Sequence, residues 1–293
     1  MYNTTTTLSL LFLHLLFFTC LYSSNSKPSL KNISSYLVYY DNKEAPENFS
    51  RYDLVVLDIS YPTPFQYLVD EDTLVLAYMN FGEISQHRDY FKKLKSQGFF
   101  LEENPFWPGS FYVDLRNPLW KSFLIETLIP TILHKGYNGL FLDTLDNASF
   151  LENKDPKAHK GMTKAAIDLV KTLRYHYPQI LIMVNRGYDL FPDIAKDVDM
   201  LLAESLYSDY NFETKSNFRV SEKDYLQQVA SLKKLQKDYP HLSIFSLDYW
   251  DPQDSKTVGE IYQIQRNNGF IPYVADILLD KICKEPLISS TKK

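Results

Sequence analysis

Only two cysteines, Cys20 and Cys283, occur among the 293 residues. No disulfide framework is therefore expected to staple the chain. There is no block of basic residues: 31 Lys and Arg stand against 36 Asp and Glu, a formal charge of −5, so a nucleic-acid backbone finds little to bind. The six histidines include no His-x-His pair, and most fall in expected helices or loops, which argues against a zinc site. A site made of carboxylates alone, for magnesium or calcium, is left open by this argument. No repeat or low-complexity block follows residue 26. With 45% hydrophobic and 23% charged residues, disordered, collagen-like and multi-span membrane chains are excluded.

Residues 1–26 contain no Asp, Glu, Lys or Arg, and from Leu8 to Leu21 the chain is almost continuous Leu and Phe. That is the length of a signal-peptide core and short for a transmembrane span. Ser24 and Ser26 suit cleavage before Lys27, while Phe17-Phe18-Thr19-Cys20 loosely follows a bacterial lipoprotein pattern. The segment 1–26 is accordingly expected to be a signal peptide, with a lipoprotein type as its variant. Residues 27–293 form the folded unit. The expected location is secreted or cell-envelope associated; any membrane attachment would run through an N-terminal lipid or an uncleaved signal.

Length favours one large domain. Short β-branched and aromatic runs at 36–40, 54–59, 74–79, 139–143, 180–184, 200–204, 243–248 and 270–274 alternate with helical patterns at 86–96, 120–134, 163–175, 221–237 and 256–267. Eight such strands with intervening helices predict an α/β fold, a single (β/α)8 TIM barrel. The first two strands are the least clearly written, so distortion is expected there. The stretches 98–117 and 206–220 are expected to be irregular and to border a groove.

Four of the strand runs end in an acid: Asp58, Asp143, Glu204 and Asp248. In a parallel barrel the C-terminal strand ends face one mouth, so these groups are expected to converge there. Glu83 after the third strand and Asp146 just beyond Asp143 add to the set. A lone acid after a strand is often a helix N-cap, and for Asp58 or Asp248 alone that reading has equal weight. Converging carboxylates either bind hard cations or divide acid from base or nucleophile, as glycoside hydrolysis requires. Tyr249 and Trp250 follow Asp248 directly, and Trp107, Tyr207 and Tyr210 lie in the long stretches, where flat rings can cover a pyranose. Packing explains Trp107 and Tyr210 equally well.

Leu142-Asp143-Thr144-Leu145-Asp146 after Gly136-Tyr137-Asn138-Gly139, together with Gly82-Glu83, Val113-Asp114-Leu115-Arg116-Asn117-Pro118 with Trp120, and Pro272-Tyr273-Val274, resembles glycoside hydrolase family 114. These are endo-α-1,4-polygalactosaminidase-like barrel proteins. The resemblance covers nearly the whole chain after residue 26. It implies a glycosidase cutting within an α-1,4-galactosaminan-like amino-sugar polysaccharide, with no cofactor or metal, acting as a monomer on a polysaccharide partner and not on nucleic acid. It implies Asp143 and Glu204 as the catalytic pair, with Glu204 as general acid and Asp143 as nucleophile or base. Asp58, Glu83, Asp114, Asp146, Asn185, Tyr207, Asp248, Tyr249 and Trp250 would bind substrate. Asp114 reads equally well as a loop tie to Arg116, and Arg186 as clamp or contact. Two other readings stay open: a catalytically inactive carbohydrate-binding barrel and a carboxylate-metal hydrolase.

Overall fold

Runs such as Leu54-Val55-Val56-Leu57 and Leu140-Phe141-Leu142 are apolar on both faces, which suits parallel strands covered on one side by helices and on the other by the barrel interior. The computed structural model describes residues 27–62, 68 and 72–286; the expected signal segment 1–26 lies outside them. The strands are β1 (Tyr36–Tyr39), β2 (Leu54–Asp58), β3 (Leu74–Asn80), β4 (Glu83–Ser85), β5 (Phe100–Glu103), β6 (Ser110–Val113), β7 (Gly139–Asp143), β8 (Leu181–Asn185), β9 (Met200–Glu204), β10 (Ser208–Asn211), β11 (Ser216–Arg219), β12 (Ser243–Tyr249) and β13 (Ile271–Ala275). Eight of them form one sheet in the order β1-β2-β3-β7-β8-β9-β12-β13. Every pairing in it is parallel.

The sheet curls into a barrel that is nearly closed, with its distortion at the seam. No ladder joins β1 to β13 among the described residues. Tyr36 fills the gap instead. Its hydroxyl donates to the Ser246 carbonyl at 2.7 Å, and its ring meets those of Phe245 and Tyr273 edge-on at 4.9 and 5.7 Å. The expected irregularity of the first strands therefore belongs to the outer edge of β1; its pairing with β2 is regular along all four residues.

The expected eight strands all form, and the helices Met162–His176, Glu222–Asp238 and Ser255–Asn267 match the helical patterns within a residue or two. The segment expected as one helix over 120–134 is divided. Pro118–Phe123 and Ile129–His134 are α-helical, and Leu124–Leu128 is a π-helical turn in which the Ile129 N–H reaches the Leu124 carbonyl. Pro130 follows at once; it has no N–H to continue an α-helical ladder, and the wider turn absorbs the missing bond. The helix expected over 86–96 shrinks to Phe91–Leu94 and a 3-10 turn; Gln86 instead prolongs the β4–β6 pairing, its N–H on the Gly109 carbonyl.

Neither long stretch is irregular. β4, β6 and β5 build a three-stranded antiparallel sheet, and β10 with β11 a hairpin. Their strands have three or four residues each, too short for an alternating pattern to declare itself. Both leave the barrel at its C-terminal end, one after β3 and the other after β9. Gly82 makes the first departure workable: a Cβ there would stand 2.1 Å from the Thr144 carbonyl oxygen, so only glycine lets this loop lie against the turn after β7.

Candidate active site

Three adjacent staves deliver the centre of the site. β7 ends in Asp143, β8 in Asn185 and β9 in Glu204. The next residue in each case, Thr144, Arg186 and Ser205, has a left-handed backbone, with φ of 62°, 53° and 53°. A non-glycine residue in that region carries about 1 kcal/mol or more of strain. The same device at three neighbouring strand ends turns the chain sharply away and leaves the preceding side chain in the mouth.

Asn185 joins the two acids. Its Nδ2 donates to Asp143 Oδ1 at 2.9 Å and to Glu204 Oε2 at 2.6 Å. The two acceptor oxygens consequently lie no farther apart than the sum of those distances, 5.5 Å. Asp143 also accepts from the Thr144 N–H at 2.8 Å and the Tyr78 hydroxyl at 2.7 Å. Three donors thus surround it. Glu204 accepts from the Tyr249 hydroxyl through its other oxygen.

The electrostatics separate the two carboxyls. Burial, and next the charge of Asp143, push the Glu204 carboxyl above its ordinary range, against the pull of Asn185, Tyr249 and Arg186. Asp146, half-buried one turn beyond, is pushed up to about 6 by burial and by Asp143; its side chain does not cap the helix Asn147–Lys154 that it precedes. Arg186 is exposed at the mouth, and its charge partly offsets both shifts. Among the described residues no group of three or more His, Cys, Asp or Glu side chains is arranged to hold a metal ion.

The other expected contacts are placed differently. Asp58 is engaged by both guanidinium nitrogens of Arg88, at 2.8 and 2.7 Å, and by the Ser60 N–H. Glu83, buried, accepts from Asn104, Ser110 and Asn147. Asp114 is chelated by Arg116, which also donates to the Ala158 and Lys160 carbonyls. Asp248 is fully buried and accepts from the Tyr207 and Ser208 N–H groups and from Gln265 Nε2. These four acids were expected to touch sugar; in the structure each accepts hydrogen bonds from scaffold groups. Tyr249, expected to stack, is 3% exposed and offers only its hydroxyl, to Glu204. Trp250 is half-buried, its Nε1 on Asp254 and its side chain packed against the cluster of Val258, Ile261, Tyr262 and Val274. Tyr207 is held between the Tyr225 ring at 5.1 Å and the Arg219 guanidinium at 5.6 Å.

Two tyrosines escape sequence reasoning. Tyr78 lies inside β3, and its hydroxyl meets both Asp143 and Asn80. Tyr40, just after β1, packs on the Tyr78 ring with centroids 4.2 Å apart. The signal was present in the inward register of the third strand, Leu76, Tyr78 and Asn80, but a tyrosine among apolar residues reads as core.

Comparison with known proteins bears on the fold and the family. The chain is 24% identical over 260 residues to an uncharacterized protein of Thermotoga maritima, covering 80% of this chain and 78% of the other. It is 24% identical over 274 residues to one of Deinococcus radiodurans, covering 88% and 85%. Among solved structures, the glycoside hydrolase domain of PelA from Pseudomonas aeruginosa superposes with a TM-score of 0.77 at 23% identity, over 86% of this chain and 98% of that one. Ega3 of Aspergillus fumigatus, solved in complex with galactosamine, superposes with a TM-score of 0.63 at 13% identity, over 88% and 95%. Identities this low establish a shared fold. The pattern of one sequence family extends from residue 23 to 288, almost end to end, and the chain belongs to that family, glycoside-hydrolase family GH114.

Proposed function

We propose that the protein is an exported glycosidase that cuts within an α-1,4-galactosaminan-like polysaccharide, with Glu204 as general acid and Asp143 as nucleophile. The observation that carries this reading is the single Asn185 amide reaching both carboxyls. The two oxygens it holds lie no more than 5.5 Å apart, which favours the close spacing of retaining enzymes, about 5–5.5 Å, over the roughly 6.5–9.5 Å that inverting ones need to admit a water. Asp143 only accepts hydrogen bonds and attacks the anomeric carbon. As the glycosidic C–O bond breaks, Glu204, whose protonated form burial and its neighbour's charge favour, gives its proton to the leaving oxygen. Glu204 then takes a proton from water, which displaces Asp143 and frees the sugar with its original anomeric configuration. The Tyr249 hydroxyl donates or accepts as Glu204 changes state.

The amino-sugar preference is supported by the acids at this mouth, Asp143, Asp146 and Glu204, which attract a protonated amine, and by galactosamine in the complex solved for Ega3. Digestion of α-1,4-galactosaminan, its N-acetylated form and a polyuronate, followed by proton NMR, tests the reading. The expected first product is an α-configured amino-sugar oligomer. A β-configured first product would refute Asp143 as nucleophile, and cleavage of the polyuronate alone would refute the substrate class. Export rests on the uncharged segment 1–26; protein recovered from the medium is expected to begin at Lys27 by N-terminal sequencing.

A further inference from the structure

The two excursions that leave the barrel mouth touch each other through exposed aromatic rings. Trp107, between β5 and β6, and Phe212, at the turn between β10 and β11, lie edge-to-face with centroids 5.5 Å apart. Tyr210 continues the row, edge-to-face with Phe212 at 5.3 Å. Trp107 is 54% and Phe212 58% exposed, so their contact leaves more than half of each side chain in water. A contact made only to fasten two loops would bury the rings more completely.

Neither loop needs the rings for its own conformation. The Trp107 loop is closed by Asn104 N–H to the Ser110 carbonyl, Trp107 N–H to the Asn104 carbonyl, Ser110 N–H to the Trp107 carbonyl and Gly109 N–H to Glu103. The hairpin turn is closed by Asn211, whose side chain accepts from the Glu213 and Thr214 N–H groups. Both loops are also tied to the catalytic staves. Glu83 Oε1 accepts from Asn104, three residues before Trp107, and from Asn147, four residues after Asp143. Ser205, next to Glu204, donates to Asp209 at the start of the hairpin. β3 and β9 are separated in the barrel by β7 and β8, so the row bridges the side of the mouth where Asp143 and Asn185 stand.

We propose that Trp107, Phe212 and Tyr210 form a carbohydrate-binding rim, a subsite that takes a sugar unit of the polysaccharide away from the bond being cut. The inference rests on the reading of the protein as a polysaccharide hydrolase. A pyranose presents flat faces of C–H bonds, apolar and faintly positive, which match the negative face of an aromatic ring. A protonated amine on the same sugar adds cation–π attraction, strongest over Trp. An unstructured polymer loses less freedom on binding when rigid rings meet it, since they order almost nothing further themselves.

The test compares long galactosaminan with the shortest oligomer that the enzyme cleaves, using Trp107→Ala, Phe212→Ala, Trp107→Phe and, as a control, Tyr175→Ala, an 82% exposed ring on the helix Met162–His176. Thermal melting checks that each variant folds. For the polymer, kcat/KM is expected to fall about tenfold in the two alanine variants, the size of one lost aromatic contact, through a rise in KM with kcat unchanged. The short oligomer is expected to change less than about twofold, Trp107→Phe to recover most of the loss, and Tyr175→Ala to match wild type. Equal effects on polymer and oligomer, or none on either, would overturn the rim. Affinity electrophoresis of Glu204→Gln protein through galactosaminan separates the two claims. Polymer retarding Glu204→Gln but not Glu204→Gln/Trp107→Ala, with no cleavage by wild type, would keep the rim and end the hydrolase reading. Cleavage whose polymer dependence ignores both alanine substitutions would do the reverse, and neither binding nor cleavage would end both.

Discussion

Asp143 and Glu204 share a sequence pattern with Asp58 and Asp248, an apolar strand closed by an acid, yet the two pairs live in different physical worlds. Asp58 faces a guanidinium and Asp248 faces three N–H donors. Each has its charge or its lone pairs answered by the scaffold. Asp143 and Glu204 also accept from the scaffold, through Tyr78, Thr144 and Tyr249, but they face each other across one neutral amide. Like charges held together raise the energy of the ionised state, which weakens the fold and gives one carboxyl a usable proton. Position at a strand end is thus common to all four, and chemistry is decided by what stands opposite.

The sharpest way to break this division is to neutralise each acid. Asp143→Asn and Glu204→Gln are each expected to lower kcat by about 10³-fold, within the range for loss of a nucleophile or general acid, while the melting temperature holds or rises because a like-charge contact is gone. A stability loss with activity retained would put these acids in the scaffold class. Arg88→Met is expected to do the opposite. It leaves Asp58 partly buried beside no cation and destabilises the fold by about 3 kcal/mol in urea titration, with kcat per folded molecule little changed. A fall in kcat without a fall in stability would move Asp58 to the substrate.

Asn185 stands between the classes. Asn185→Ala is expected to reduce kcat about 30-fold, an intermediate loss for a group that positions both carboxyls. Its hydrogen bond holds the Glu204 carboxyl down, so its removal raises that group further and moves the alkaline limb of the pH–rate profile to higher pH. An unmoved limb would separate Asn185 from the acid. Smaller again is the pH dependence of stability. Asp146 and Asp248 are both raised to about 6 in the folded protein. A raised carboxyl contributes stability that is full below the unfolded value of about 4 and is lost as pH rises through the folded one. Urea titrations are expected to show a loss of roughly 2 kcal/mol for each group between pH 4.5 and 7.5, the total being reduced in Asp146→Asn.

The smallest effect is expected at Asp248. In Asp248→Asn the new amide oxygen still accepts from the Tyr207 and Ser208 N–H groups, and Gln265 can turn its buried, unpartnered Oε1 toward the new Nδ2. The change is expected to stay below about 1 kcal/mol. A large loss of stability or of kcat would show that the charge itself matters there.

Much of the fold was legible because parallel strands buried on both faces spell continuous apolar runs. The eight staves were readable to within two residues of their observed limits, as at Gly139–Asp143 and Met200–Glu204. The small β4-β6-β5 sheet was not, since its strands are only three or four residues long and owe their pairing to bonds such as Gln86 N–H to Gly109, far apart in sequence. At the site, Asp143, Glu204 and Asn185 were legible as strand-end polar residues. The partners of Asp58, Glu83, Asp114 and Asp248 were not, except Arg116, which lies two residues from Asp114. Gln265 and Arg88 reach their acids from 17 and 30 residues away, and local pattern carries no trace of such meetings.

By itself, the sequence determined which segments are buried strands, which residues end them and that those ends carry acids, because burial and period are properties of neighbouring residues. The tertiary structure alone decided that Tyr249 supplies a hydroxyl and not a stacking face, that Tyr78 steadies Asp143, and that Trp107 meets Phe212. Those outcomes depend on which groups from distant segments arrive within hydrogen-bond or van der Waals distance, and only closure of the barrel sets that.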